Sequence, residues 1–144
     1  MKPARFDYLR AATLAEAHAA LAAEGDEARI VAGGQSLIPM LSMRLARPKL
    51  LVDIMHLPEL KKIETGENSI RIGAGVRQAQ LLAWPGLHKR QPLLAAALPW
   101  VGHAQTRSRG TICGSVAHAD PSAEIPLVLL ALNGTIHLSS QKKR

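Results

Sequence analysis

The sequence predicts an α+β fold arranged as two small subdomains, and three observations carry that prediction. The chain is 47% hydrophobic and 20% charged over 144 residues, which provides a core and excludes a disordered chain. The apolar weight lies in Ala, Leu, Ile and Val, with only 3% aromatics, and this suits helices packed on a small sheet. Short apolar runs that stop at glycines alternate with helical spacings through the first third, a βαβαβ-like order or an α+β variant of it. A break between Pro58 and Gly66 separates a first subdomain, residues 1–58, from a second, residues 59–144.

Thr13 and Glu16 form a capping-box pair ahead of Leu14, Ala17, His18 and Leu21, which recur at helical spacing until Gly25. Ala28 to Ala32 reads as a buried strand that meets a tight turn at Gly33-Gly34. Ser36 is expected to cap a second helix reaching Leu45, with Pro39 tolerated in its first turns. Met40 and Met43 share a helical spacing and read as core. Leu50 to Ile54 is the next strand. Leu60–Glu64 and Ser69–Ile72 flank Thr65-Gly66-Glu67-Asn68 as a hairpin. After Gly73 and Gly75, helices are expected over Val76–Trp84 and over Pro92–Gly102, the latter interrupted at Pro99. A Gly-rich turn at Gly110–Ser115, a helix over Glu124–Leu132 and a strand over Thr135–Leu138 complete the reading.

Composition narrows the function. The N-terminus MKPARFDYLR has no apolar signal region and no spanning apolar run follows, so the default is a soluble, cytoplasmic protein. Cys113 is the only cysteine, which excludes an internal disulfide and a cysteine metal cage. The formal charge of +7 invites a polyanion. The basic residues are scattered, however, and no aromatics are interleaved to stack on bases, so nucleic acid is not expected. The clusters at Arg107, Arg109 and Lys142-Lys143-Arg144 read as solvated surface or as half of a charge-paired interface.

Two segments carry chemistry. In Val31-Ala-Gly-Gly-Gln-Ser-Leu37 a strand delivers two glycines, a polar pair and a helix start. Glycine lets the backbone turn into positive φ and approach a ligand, and free N–H groups then bind an anion. No lysine follows, so this is not a Walker loop, and the spacing is not that of a Rossmann fingerprint. The bland alternative is a simple turn. In Arg109-Gly-Thr-Ile-Cys-Gly-Ser115, followed by Val-Ala-His-Ala-Asp-Pro-Ser-Ala-Glu124, small residues and hydroxyls can line a phosphate or a polyol chain. Asp120 and Glu124 can accept hydrogen bonds from hydroxyls, although Asp120 reads equally as the N-cap of the last helix.

Taken together, these segments resemble the medium, FAD-binding subunit of the molybdenum hydroxylases of carbon monoxide and xanthine dehydrogenase type. The resemblance runs in order through Ala32-Gly-Gly-Gln-Ser-Leu-Ile-Pro39, Arg44-Leu-Ala-Arg-Pro48, Leu51-Val-Asp-Ile54, Arg71-Ile-Gly-Ala-Gly75, Arg109-Gly-Thr-Ile-Cys-Gly-Ser115, His118-Ala-Asp-Pro121 and Glu124-Ile-Pro126. It implies an FAD-binding domain of the p-cresol methylhydroxylase type. It assigns Ala32, Gly33, Gly34, Gln35 and Ser36 to the FAD pyrophosphate. Thr111, Ile112, Cys113, Gly114 and Ser115 become cofactor lining, Glu124 the carboxylate on the ribityl hydroxyls, and Asp120 a further polar contact. It implies electron transfer to FAD from iron–sulfur clusters of a small subunit, fed by a molybdopterin-binding large subunit, and then to an external acceptor.

Two departures stand out. The family usually has glycine where this chain has Cys113, which would crowd the phosphate if that position needs positive φ. Family subunits also continue beyond the point where this chain stops, so a fragment or truncated product is expected, holding FAD weakly or not at all. No catalytic acid or base is assigned. His103 and His118 lack metal-ligand spacing, Ser36 and Ser115 lack a nucleophile elbow, and Cys113 has no partner thiol, although Arg109 nearby would lower its pKa. A different flavin enzyme on the same fold, and a remnant that folds without flavin, are the two competing functions.

Overall fold

The computed structural model describes residues 2–141, so the basic run Lys142-Lys143-Arg144 lies outside the described residues. The chain divides into two compact units. One takes the chain up to Leu57 together with the segment from His137, and the other is Pro58–Ile136.

The first unit is built on three short parallel strands, β1 (Asp7–Arg10), β2 (Ala28–Val31) and β3 (Leu50–Asp53). β3 lies in the middle, with Asp7 and Ala28 both in register with Leu50, and Arg10 and Val31 both in register with Asp53. Strand β1 was not foreseen, because its partner lies far along the chain and its own residues are mostly exposed. Helix α1 (Leu14–Glu24) forms as its capping signal requires. Thr13 Oγ1 accepts from Glu16 N at 3.1 Å, and Glu16 Oε2 accepts from Ala12 N at 2.7 Å, one residue earlier than in the standard box. Gly25, at φ +53°, closes the helix.

Four expectations are corrected in this unit. β2 is only half-buried: Ala28 and Val31 are buried, Arg29 and Ile30 exposed. Helix α2 (Leu37–Ser42) stops short of Leu45, because Arg44 takes φ +59° and breaks it. Ser36 makes no side-chain cap, and Met43 is exposed instead of core. Val31, Leu41 and Leu51 form the core, with Phe6, Leu37 and Ala46 packed around them.

The second unit opens with a 3-10 turn (Pro58–Lys61) and a hairpin, β4 (Ile63–Thr65) and β5 (Ile70–Ile72), paired Ile63 to Ile72. Leu60 belongs to the turn and not to the strand. Arg90 Nη1 donates to Gly66 O at 2.6 Å and ties the hairpin turn to α4 (Leu87–Arg90). Helix α3 (Gln78–Leu82) is shorter than Val76–Trp84, because Arg77 is held extended in an antiparallel bridge with Thr111. α5 (Pro92–Ala97) starts on Pro92 and gives way at Pro99 to a 3-10 turn, Leu98–Trp100. α6 (Ala104–Arg109) was not anticipated. The expected Gly-rich turn at Gly110–Ser115 is a helix start: α7 is Ile112–His118.

The core of this unit gathers Val76, Leu81, Leu87, Leu94, Leu98 and Ile125. α8 (Glu124–Ala131) buries Ile125 and Val128 and leaves Leu127 and Leu130 66% and 75% exposed. Thr135–Leu138 is not a strand: it is exposed and pairs with nothing among the described residues. No helix among the described residues is long and apolar enough to cross a membrane.

Candidate functional site

The candidate residues fall in both units. In the first, Ala32 to Ser36 leave the carboxyl end of β2, the end at which parallel sheets present ligands. Gly34 adopts φ +69°, a conformation that costs an L-residue about 1–2 kcal/mol. A Cβ on Gly34 would lie 2.9 Å from Ile38 Cγ1, so the bare Cα is also a steric requirement. Gly33 keeps negative φ. Gln35 folds back, with Nε2 donating to Gly33 O at 3.1 Å. Ile38 N donates to Gly34 O at 3.0 Å and Met40 N to Ser36 O at 3.3 Å, so the loop's carbonyls are used. The backbone N–H groups of Gly33, Gly34, Gln35 and Ser36 have no partner among the described residues. Four successive unpartnered donors around one left-handed glycine are the kind of backbone that can take an anion.

Beside this loop lies a residue that motif reasoning did not single out. Asp53, at the end of the central strand, is 9% exposed and is the only charged side chain among the buried described residues. Its Oδ1 accepts from Met55 N at 2.8 Å, and its Oδ2 accepts from the Tyr8 hydroxyl on β1. That hydrogen bond, reinforced by burial and by the negative charge of Asp53, holds the Tyr8 phenol above its ordinary range, and Arg10 opposes the shift. Sequence spacing carries no sign of the pairing, since Tyr8 and Asp53 are brought together only by the sheet.

In the second unit, Thr111 caps α7: its buried Oγ1 accepts from Gly114 N at 3.0 Å. Gln78 N donates to Gly110 O at 2.8 Å and Ile112 N to Val76 O at 3.2 Å, clamping the segment onto the start of α3. Arg77 Nη1 adds a bond to Ser108 O at 3.1 Å. Gln78, also missed from sequence, is 4% exposed, and its Oε1 is buried without a partner. Cys113 is helical, with no positive φ, so the crowding expected from a side chain there does not arise. Its Sγ lies 3.5 Å from Ile72 O, and burial pushes the thiol pKa up, opposite to the lowering expected from Arg109.

Asp120 does not cap α8; Ala123 holds that position. Asp120 Oδ1 instead accepts from Ser122 N at 2.9 Å and Ser122 Oγ at 2.7 Å, and these bonds hold its carboxyl below the usual range. It sits on an open groove of about 470 Å³ and is the one charged residue of a largely apolar lining that includes Val116, Leu127, Leu130 and Ile136. Glu124 begins α8, half-buried, where the exposed peptide N–H groups of a helix start favour a carboxylate.

FAD demands N–H donors for its pyrophosphate and polar groups for its ribityl hydroxyls. Within the first unit, the unpartnered N–H groups of Gly33 to Ser36 fit the first of those demands. Comparison with known proteins points the same way. Residues 4–144 match the family described as the FAD binding domain in molybdopterin dehydrogenase. The chain is 47% identical over 140 residues to the 6-hydroxypseudooxynicotine dehydrogenase complex subunit alpha of Paenarthrobacter nicotinovorans, covering 97% of this chain and 47% of that protein. It is 44% identical over 141 residues to the glyceraldehyde dehydrogenase medium chain of Sulfolobus acidocaldarius, covering 97% of this chain and 50% of the relative. The fold resembles a chain of carbon monoxide dehydrogenase from Hydrogenophaga pseudoflava with a TM-score of 0.84 at 40% identity, over 88% of this chain and 44% of that one. The chain thus spans about half the length of the curated relatives it matches.

Proposed function

Because the chain belongs to the family of FAD-binding domains of molybdopterin dehydrogenases, we propose that it is the flavin-carrying, electron-transferring part of a molybdenum-containing hydroxylase or dehydrogenase. FAD supplies the redox chemistry, and the polypeptide supplies binding, orientation and electrostatics. The observation that carries the reading is the row of unpartnered N–H groups from Gly33 to Ser36 around the left-handed Gly34. We assign Ala32 to Ser36 to the pyrophosphate. Thr111 to Ser115 line the cofactor, Glu124 accepts from its ribityl hydroxyls, and Asp120 adds a polar contact.

The partners in this reading are an iron–sulfur small subunit that delivers electrons and a molybdopterin-binding large subunit where substrate is oxidised, within a cytoplasmic complex. The relatives' names, a complex subunit and a medium chain, support a place in such an assembly.

Calorimetric titration of FAD into the chain tests the proposal. Because the Gly33–Ser36 donors are formed in this chain, weak but saturable one-to-one binding is expected in place of complete loss, with the flavin absorption bands perturbed on binding. A flat isotherm and an unperturbed flavin spectrum at saturating FAD would overturn it.

A further inference from the structure

Asp53 presents a physical problem. A carboxylate this deeply placed loses hydration, and it makes no salt bridge among the described residues. Nor does it help an anion by attraction, since its charge repels a phosphate in the neighbouring loop. What it does have is geometry. Its Oδ1 accepts from Met55 N and closes the turn after β3. That turn aims Ile54 N–H at Val31 O, 3.2 Å away, and Val31 is the residue from which the glycine loop departs. On the other side, Ala11 N donates to Asp53 O at 3.1 Å, and the Tyr8 hydroxyl holds Oδ2. Asp53 and its neighbour Ile54 therefore tie β3 to both flanking strands at the end where Gly33 to Ser36 begin.

We propose that Asp53, braced by Tyr8, is the positioning residue that sets the direction of the Gly33–Ser36 loop for FAD, acting through the Ile54–Val31 hydrogen bond. The proposal rests on the reading of that loop as the pyrophosphate site. It assigns the side chain no contact with the cofactor. Its contribution is preorganisation: a loop whose direction is already fixed loses less freedom on binding.

The geometry separates two substitutions. Asp53→Asn keeps an oxygen for Met55 N, and its amide can donate to the Tyr8 hydroxyl, so the turn survives while the charge goes. Asp53→Ala removes both arms. Tyr8 is the chain's only tyrosine and is 54% exposed, so its ultraviolet titration reports the brace without ambiguity, and Tyr8→Phe removes one arm at little risk to the fold.

The experiment combines three measurements on the 144-residue chain and these variants: FAD affinity by fluorescence titration, amide exchange at Ile54, and the tyrosine titration. In Asp53→Ala, Ile54 should lose protection and FAD binding should weaken on the order of tenfold. Asp53→Asn should return the phenol towards its ordinary pKa while holding Ile54 protection and keeping FAD affinity within about threefold of the parent. Tyr8→Phe should fall between them. If Asp53→Ala does not fold, Tyr8→Phe decides, and unchanged Ile54 protection there overturns the brace. Parent-like FAD affinity and Ile54 protection in a folded Asp53→Ala also overturn it. A parent chain that binds no FAD would sink the pyrophosphate reading, and the brace would then stand or fall on Ile54 protection alone.

Discussion

Two segments with nearly the same small-residue vocabulary, Ala32-Gly-Gly-Gln-Ser36 and Gly110-Thr-Ile-Cys-Gly-Ser115, adopt opposite backbone economies. The first leaves four successive N–H groups unpaired and places Gly34 at φ +69°. In the second, the amides of Gly110, Ile112, Gly114 and Ser115 are bonded within the unit, only those of Thr111 and Cys113 lack a partner among the described residues, and neither glycine takes positive φ. The difference teaches what a glycine is for. Gly34 supplies a conformation. Gly110 and Gly114 supply room: a Cβ would meet Gln78 Oε1 and Thr106 O at 3.1 Å in one case and Thr111 Oγ1 at 2.6 Å in the other. The first segment is equipped to hold a ligand by its main chain, and the second chiefly to hold a helix in place.

The strongest challenge to that contrast is Gly34→Val. A β-branched residue at positive φ, pressed on Ile38, should lower FAD affinity roughly a hundredfold or more while far-UV circular dichroism stays near that of the parent. Parent-like affinity in that variant removes the loop from the site. Next in size is Thr111→Ala, which deletes the cap of α7. It should cost about 1 kcal/mol of stability in denaturant titration, with only a few-fold change in FAD affinity. A collapse in affinity with unchanged stability would reverse the roles given to the two segments.

The smallest expected effect is the most diagnostic. In Gly114→Ala the new methyl displaces the Thr111 hydroxyl, losing about 1 kcal/mol of capping. Inside a helix, however, alanine regains about 1 kcal/mol over glycine. The two cancel, so the unfolding midpoint should stay within about 0.5 kcal/mol of the parent. A loss comparable to that of Thr111→Ala would mean that Gly114 does more than leave room for a hydroxyl.

What the sequence disclosed follows the range of the forces involved. Thr13 and Glu16 announced α1, and Pro92 announced α5, because capping and proline chemistry act over a few residues. The alternation of apolar runs and glycines located β2, β3 and the β4–β5 hairpin. Local propensity could not locate β1, whose partner is β3, or the extended Arg77, whose partner is Thr111. The same blindness turned Gly110–Ser115 into a loop, since two glycines outvoted a cap that depends on Thr111 being buried. The residues proposed for the site were read as motifs. The groups that hold them, Asp53 with Tyr8 and Gln78 with Arg77, were not, because their meaning lies wholly in tertiary placement.

The position of β3 between its two neighbours carries a consequence for assembly of the fold in time. Neither β1 nor β2 pairs with the other; each pairs with β3, the last of the three to be made. During synthesis α1 and the first two strands must wait without a sheet until Leu50 to Asp53 emerge, and both ladders then close on one template. Pairing of this kind defers its reward until long loops have been closed, so the first unit gains its order late and all at once. The glycine loop, which hangs from the same strand ends, takes its shape only at that moment.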